Sequence, residues 1–302
     1  MRSIAIVIPY FGRWPFWFDF YLASCRHNPS IQWLFYTDCG IPAGAPPNVH
    51  FESISFAHYK ARVRATLAIE FDPDNAYKLC DVRPAYGLIH QQELREFDFW
   101  GFGDIDVIYG NLRKLFHDEK LRYDTISCLG TRIAGHLTLL RNNERMRHAF
   151  RRCPNWETRM SGQHVAFDER EFSHLFIRRK NWPAWLRNAA FSWDPIMRNA
   201  CFEEAYATAP STRVPWLDGS FDFPSIWHWN RGTLTNNLTG SREFPYWHFV
   251  EWKLHAWRGR EPSSLLHVTA AEAGHGFSVT TNGFHPLHCP SLAISEAMGK
   301  YC

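Results

Sequence analysis

The most restrictive feature of the sequence is its opening. Ile4-Ala5-Ile6-Val7-Ile8 is an unbroken apolar run, mostly β-branched, that Pro9 stops. A strand apolar on both faces belongs inside a sheet with covering elements on either side, the setting of parallel α/β sheets. Residues 16–25 then carry helical apolar spacing. Trp33-Leu34-Phe35-Tyr36-Thr37, closed by Asp38-Cys39-Gly40, reads as a second buried strand ending in a turn. Residues 41–47 read as a loop, 49–54 as a third strand, 58–69 as a helix and 85–94 as another helix leading to Phe97-Asp98-Phe99-Trp100-Gly101-Phe102-Gly103-Asp104. Alternation of this kind predicts an α/β fold with one mostly parallel, doubly wound sheet and ligands at the carboxyl ends of its strands. Beyond residue 110 the pattern loosens, with strands expected at 123–128 and 135–140 and a helix at 144–152. No repeat, low-complexity tract or linker divides the 302 residues, so a single domain with an irregular C-terminal portion is expected.

Composition excludes several classes. Hydrophobic residues at 45% and charged residues at 21% are ordinary globular usage, which argues against disorder and coiled coil. Lys and Arg number 33 against 30 Asp and Glu, a surplus of +3 that is too small for a surface coating nucleic acid. The apolar start is broken by Pro9, Gly12, Arg13, Pro15 and Asp19, and no later run has the length of a membrane span. A cytoplasmic protein, at most peripheral to the inner face of a membrane, is expected. The eight cysteines form no C-x-x-C pair and read as buried thiols of a reducing compartment. The unusual quantity is the aromatic share, 16% with 14 Trp. Such density serves either sugar and base stacking or a core, and composition does not separate the two.

The sharpest local signal for chemistry is Gly103-Asp104-Ile105-Asp106-Val107. In extended backbone Asp104 and Asp106 share a side. Two carboxylates held together are costly unless a positive charge neutralises them, and a hard divalent cation with oxygen ligands does so. Such an ion can bridge a diphosphate and carry charge developing on a leaving phosphate. A surface turn explains most Asp-x-Asp occurrences, but this one follows aromatic residues in an apolar context, where solvated carboxylates are unexpected.

Several blocks in order resemble a bacterial glycosyltransferase family of polysaccharide gene clusters, long catalogued as a domain of unknown function. They are Ile6-Val7-Ile8-Pro9-Tyr10-Phe11-Gly12, Phe35-Tyr36-Thr37-Asp38, the stretch from Tyr77 through Lys78, Asp81 and Arg83 to Gly87, and Asp98 to Asp106. Gly135 to Asn143, Phe167-Asp168-Glu169 and Tyr246-Trp247-His248-Phe249 complete the set. The resemblance reaches to about residue 253. It implies a GT-A-like, single Rossmann-like domain over residues 1–254, with 255–302 as an extension packed on it. It implies transfer of a sugar from a nucleoside diphosphate sugar, a UDP-sugar first, to a glycan or lipid-linked glycan, with Mn²⁺ or Mg²⁺ as cofactor.

By the same resemblance Asp104 lies nearest ribose and metal, Asp106 is the firmer metal ligand and His248 completes the coordination sphere, with Lys253 touching phosphate. The alternative for His248 is a satisfied core histidine. Pro9, Tyr10 and Phe11 follow the first strand, where Tyr10 is placed to stack on a base. Asp38 is a candidate for ribose or base, or a simple turn former. Arg83 or Lys78 is expected to offset diphosphate charge, and Asp81 to hold a sugar hydroxyl or orient the cation; a structural ion pair is the competing reading. Asp168 and Glu169 are candidates for the base that takes the acceptor's proton, or a helix-start acidic cap. Gly135 and His136 are placed on the acceptor side. Two basic stretches, Arg141 to Arg152 and Arg178, Arg179, Lys180, Trp182, Trp185 and Arg187, suit either an anionic lipid surface or solvated helix faces. The competing functions are a metal-dependent phosphohydrolase and a non-catalytic carbohydrate-binding protein.

Overall fold

The computed structural model describes residues 1–177, 183, 185, 186, 189, 193–208, 210 and 212–287. The expected opening strand is β1 (Ile4–Tyr10), with Ile4 to Ile8 buried. It is flanked by β2 (Ile31–Thr37), β3 (Val49–Ser53) and β4 (Phe99–Gly103) in the order β3-β2-β1-β4, all parallel. After β5 (Val107–Tyr109) and β6 (Thr125–Ser127), β7 (Leu137–Arg141) runs antiparallel between β4 and β6. β8 (Ala200–Phe202) closes the edge parallel to β6. The result is the expected α/β arrangement, a seven-stranded and mostly parallel sheet with a core on each face.

The helices are shorter than their apolar patterns suggest. α1 (Phe18–Arg26) starts two residues late, after a turn in which Pro15 O accepts from Phe18 N. α2 (Phe56–Leu67) starts two residues early, because the Ser55 side chain caps it by accepting from His58 N. The helix expected at 85–94 is one turn, Tyr86–Ile89, preceded by 3₁₀ turns over Ala76–Ala85. It stops where His90 turns inward and its Nε2 meets the Tyr59 hydroxyl at 2.7 Å. Likewise 144–152 is a turn of α-helix, Glu144–Arg147, followed by 3₁₀ turns.

A second sheet of four antiparallel strands, with its own core, takes up half of the 14 tryptophans. β9 (Ile226–Asn230), β10 (Thr233–Asn236), β12 (Phe277–Thr280) and β13 (Gly283–Pro286) pair in the order β10-β9-β12-β13. Trp216, Trp227, Trp229, Trp247, Trp257 and Phe277 are buried in one cluster beneath them. Burying such a side chain contributes about 1.5–3 kcal/mol, so these rings build a core. Because β12 pairs with β9 on one side and β13 on the other, these two strands from beyond residue 254 share a sheet with chain that precedes it. Of the second basic stretch, Arg178, Arg179, Lys180, Trp182 and Arg187 lie outside the described residues. Among the described residues no helix is long and apolar enough to cross a membrane.

Candidate functional site

A cavity of about 640 Å³ opens at the carboxyl ends of β1 and β4, lined by the loop after β1 and by the segment between β4 and β5. Asp104 and Asp106 both enter it, while Ile105 between them is buried in the core and its carbonyl accepts from Trp17 Nε1 at 3.0 Å. Residues 104–106 form a bend between β4 and β5, and it is this bend that turns both carboxylates toward the cleft. Strand pairing brings in the third member. β11 (Tyr246–His248) runs antiparallel to β5 with His248 opposite Val107, and Phe249 N donates to the Asp106 carbonyl at 3.1 Å.

His248 Nε2 lies 3.4 Å from Asp106 Oδ1 and 3.9 Å from Asp104 Oδ2. One ligand atom from each of the three falls within 4.8 Å of the others. Both ring nitrogens of His248 are buried and make no hydrogen bond. An imidazole that makes no hydrogen bond but lies in ionic contact with two carboxylates fits a divalent cation of mixed oxygen and nitrogen preference such as Mn²⁺. The cluster already gathers cations from the protein. Lys253 Nζ donates to Asp106 Oδ2 and Arg83 Nη2 to Asp104 Oδ1. Burial opposes ionisation of Asp106, yet His248 and Lys253 together hold its carboxyl well below the usual range.

His136 supports His248 from behind. Its ring stacks on His248 at 4.4 Å, and its Nε2 meets the hydroxyls of Tyr246 at 2.8 Å and Thr208 at 3.2 Å. Burial first, then the neighbouring His248, pushes its pKa well down, so it stays neutral. Its place is beneath the metal-ligand candidate, although it also reaches the cavity wall.

Arg83 joins this cluster to a second one. Its Nη1 donates to Asp168 Oδ2 at 3.1 Å. Asp168 is buried, which raises its pKa; Arg83 opposes the shift and Glu169 adds to it, leaving the carboxyl pushed up to about 7. Both acids line the cavity, with Arg132 Nη1 3.7 Å from Glu169 Oε2. Gly135 makes the junction possible, since a Cβ there would come within 2.8 Å of Arg83 Nη1 and 2.9 Å of Glu169 Oε1.

Lys78 and Asp81 are not where the sequence reading put them, because neither lines the cavity. Lys78 Nζ donates to Asp81 at 2.8 Å, to the Arg159 carbonyl at 2.7 Å and to the Gln163 carbonyl at 2.9 Å. Asp81 also accepts from the backbone of Val165 and Phe167 and contacts His164 Nδ1. This buried pair pins the loop that presents His164 and Asp168, the structural alternative of the two. Asp38 is similar. Its carboxylate accepts from Gly12 N at 2.8 Å and fixes the loop after β1, where Gly12 has φ +110. Pro9, Tyr10 and Phe11 line the cavity, but the Tyr10 ring is stacked on Trp14 at 5.3 Å.

Tyr77, Arg132 and His164 line the cavity without having been singled out. Tyr77 opens the same block as Lys78, so an aromatic residue beside a charged segment was the available signal; nothing in the context of Arg132 or His164 marks them.

A model of a family described as a family of unknown function, DUF6625, matches residues 6–287. No curated protein matches the sequence. Among solved structures the chain is similar to mouse xyloside xylosyltransferase 1 in its apo form, at 10% identity and a TM-score of 0.34, over 67% of this chain and 95% of that one. It is also similar to the glycosyltransferase GlyE of Streptococcus pneumoniae TIGR4, at 12% identity and a TM-score of 0.29, over 68% of this chain and 45% of that one. The chain thus spans less than half the length of GlyE.

Proposed function

The chain belongs to the DUF6625 family, and from its cleft we propose that it is a glycosyltransferase using a nucleoside diphosphate sugar, a UDP-sugar first, with Mn²⁺ or Mg²⁺. The acceptor in this reading is a glycan or lipid-linked glycan of bacterial surface polysaccharide, and the site of action the cytoplasm or the inner face of the membrane. The observation that carries the reading is the grouping of Asp104, Asp106 and His248, whose ring nitrogens make no hydrogen bond, at the carboxyl end of β4.

Asp104, Asp106 and His248 would hold the cation, which when bound offsets charge on the diphosphate. The remaining work falls to the protein's own groups. The loop of Pro9, Tyr10 and Phe11, tied by Asp38, lines the end of the cavity that β1 supplies and takes the nucleoside. Arg83 lies between Asp104 and Asp168 and orients the donor sugar and its leaving phosphate. Lys253 moves from Asp106 to phosphate. Asp168, with its pKa near neutrality, accepts the proton of the acceptor hydroxyl, and Glu169 with Arg132 holds the acceptor's neighbouring hydroxyls.

The test is release of nucleoside diphosphate from UDP-glucose, UDP-galactose, UDP-N-acetylglucosamine and GDP-mannose with Mn²⁺, with and without added glycans. Glycan-stimulated release that is absent in His248→Ala is expected. Release of inorganic phosphate from a nucleotide, indifferent to glycan, would instead favour a metal-dependent phosphohydrolase.

A further inference from the structure

Tyr77 is a large aromatic side chain with 63% of its surface exposed, yet it stands at the lip of the cavity and is held there from several directions. Its backbone N donates to Asn75 Oδ1 at 2.8 Å, the cap of the 3₁₀ turns that begin at Ala76. The next residue, Lys78, is locked by its three acceptors, of which Asp81 is buried. The Tyr77 ring packs edge-on against the imidazole of His164 at 4.7 Å and 65°. His164 is in turn fixed through Nδ1 to the buried Asp81 at 3.1 Å. The same loop contains Ala166 at φ +53, an unfavourable backbone for a residue with a Cβ. The ring is therefore carried on a fixed backbone, restrained by a fixed imidazole, and still largely open to solvent.

We propose that Tyr77, braced by His164, is a stacking platform for a pyranose ring of the acceptor glycan. The proposal rests on the glycosyltransferase reading for the word acceptor, but not for the platform itself. Pyranose rings carry a face of C–H bonds whose burial on an aromatic plane is favourable, while their hydroxyls need polar partners at the edge. Both are present. The face is Tyr77, and the polar groups around the same mouth are Asn75, Arg132, Glu169 and Asp168. The nucleoside is assigned elsewhere, because Pro9, Tyr10 and Phe11 follow β1 whereas Tyr77 stands on the 3₁₀ segment and packs against the loop that carries Asp168. Stacking of this kind changes affinity by about tenfold.

The experiment is saturation-transfer NMR with methyl β-glucoside, methyl β-galactoside, cellobiose and lactose, run on the full chain with and without saturating UDP and Mn²⁺. Calorimetric titration of UDP, GDP and CDP is run alongside. For at least one glycan, the platform predicts transfer to the protons of one pyranose face, unchanged by UDP. Tyr77→Ala should weaken it about tenfold and Tyr77→Trp should preserve it, with nucleotide affinity the same in all three proteins. No transfer from wild type to any of the four glycans, or transfer unaffected by Tyr77→Ala, overturns the platform. Loss of nucleotide affinity in Tyr77→Ala also overturns it and moves the base to this ring. If wild type binds no nucleotide with any metal but still stacks glycan on Tyr77, the platform stands and the transferase reading fails.

Discussion

Replacing Lys78 by methionine separates the buried-pair assignment from the ligand-contact role read from sequence. The substitution keeps the aliphatic stem and removes the ammonium, which donates to Asp81, Arg159 O and Gln163 O. The side chains of Lys78 and Asp81 are 5% and 0% exposed, so solvent does not screen the loss. Leaving a buried charge without its partner costs about 3–5 kcal/mol, and the remaining amide donors to Asp81 set the value near the lower end. The two carbonyls that lose a donor add roughly 1 kcal/mol between them. A total of about 4 kcal/mol corresponds to a fall in Tm of roughly 8 °C for a chain of this length. Thermal unfolding by circular dichroism reads the shift, and nucleotide titration below the lowered Tm reads the site. Lys78→Met should lose stability and keep nucleotide affinity within a factor of about two. A Tm within 1–2 °C of wild type together with a nucleotide affinity reduced about tenfold would refute the assignment and return Lys78 to the diphosphate.

Asp168 gives a pH test. Its folded pKa of about 7 lies above the roughly 3.9 of an unfolded aspartate, so the folded chain holds more proton between those values. Its stabilising contribution is full below about pH 4 and is lost as pH rises through 7, so Asp168→Asn should gain in Tm relative to wild type from pH 5 to pH 8. A difference that does not change with pH would contradict the burial argument. Lys253→Ala frees Asp106 and should raise Mn²⁺ affinity in the absence of nucleotide by about fivefold while weakening nucleotide binding, read by calorimetry; weaker Mn²⁺ binding would show Lys253 to be a support instead. Gly135→Ala should cut turnover about 100-fold with little change in Tm, because the added Cβ displaces the Arg83 and Glu169 side-chain ends. Unchanged turnover would show that their placement is immaterial.

The parallel half of the fold was legible because β1 and β2 are buried on both faces and announce themselves as apolar runs. Helix lengths were not, since apolar spacing over residues 85–94 does not reveal that His90 turns in to meet Tyr59. The proximity of Asp104 and Asp106 was legible from their spacing, although the structure reaches it through the bend between β4 and β5 and not through extended strand. The arrival of His248 was not, as it depends on β11 pairing with a strand some 140 residues earlier, and only the family resemblance pointed to it. Lys78 and Asp81 misled because a Lys and an Asp three residues apart look alike in sequence whether they face a ligand or each other; burial decides, and burial is tertiary. The tryptophans carried the same ambiguity, which the core of the second sheet resolves for half of the 14.

The most direct test of the central claim is calorimetric titration of UDP, GDP and CDP into wild type and Asp106→Asn, each with Mn²⁺ and with EDTA. The account predicts that one nucleotide, UDP first, binds wild type with Mn²⁺ and at least about 100-fold more weakly in EDTA, and that Asp106→Asn with Mn²⁺ behaves like wild type in EDTA. Nucleotide binding indifferent to EDTA and to Asp106→Asn, or no binding to a wild-type protein that unfolds cooperatively, would contradict it.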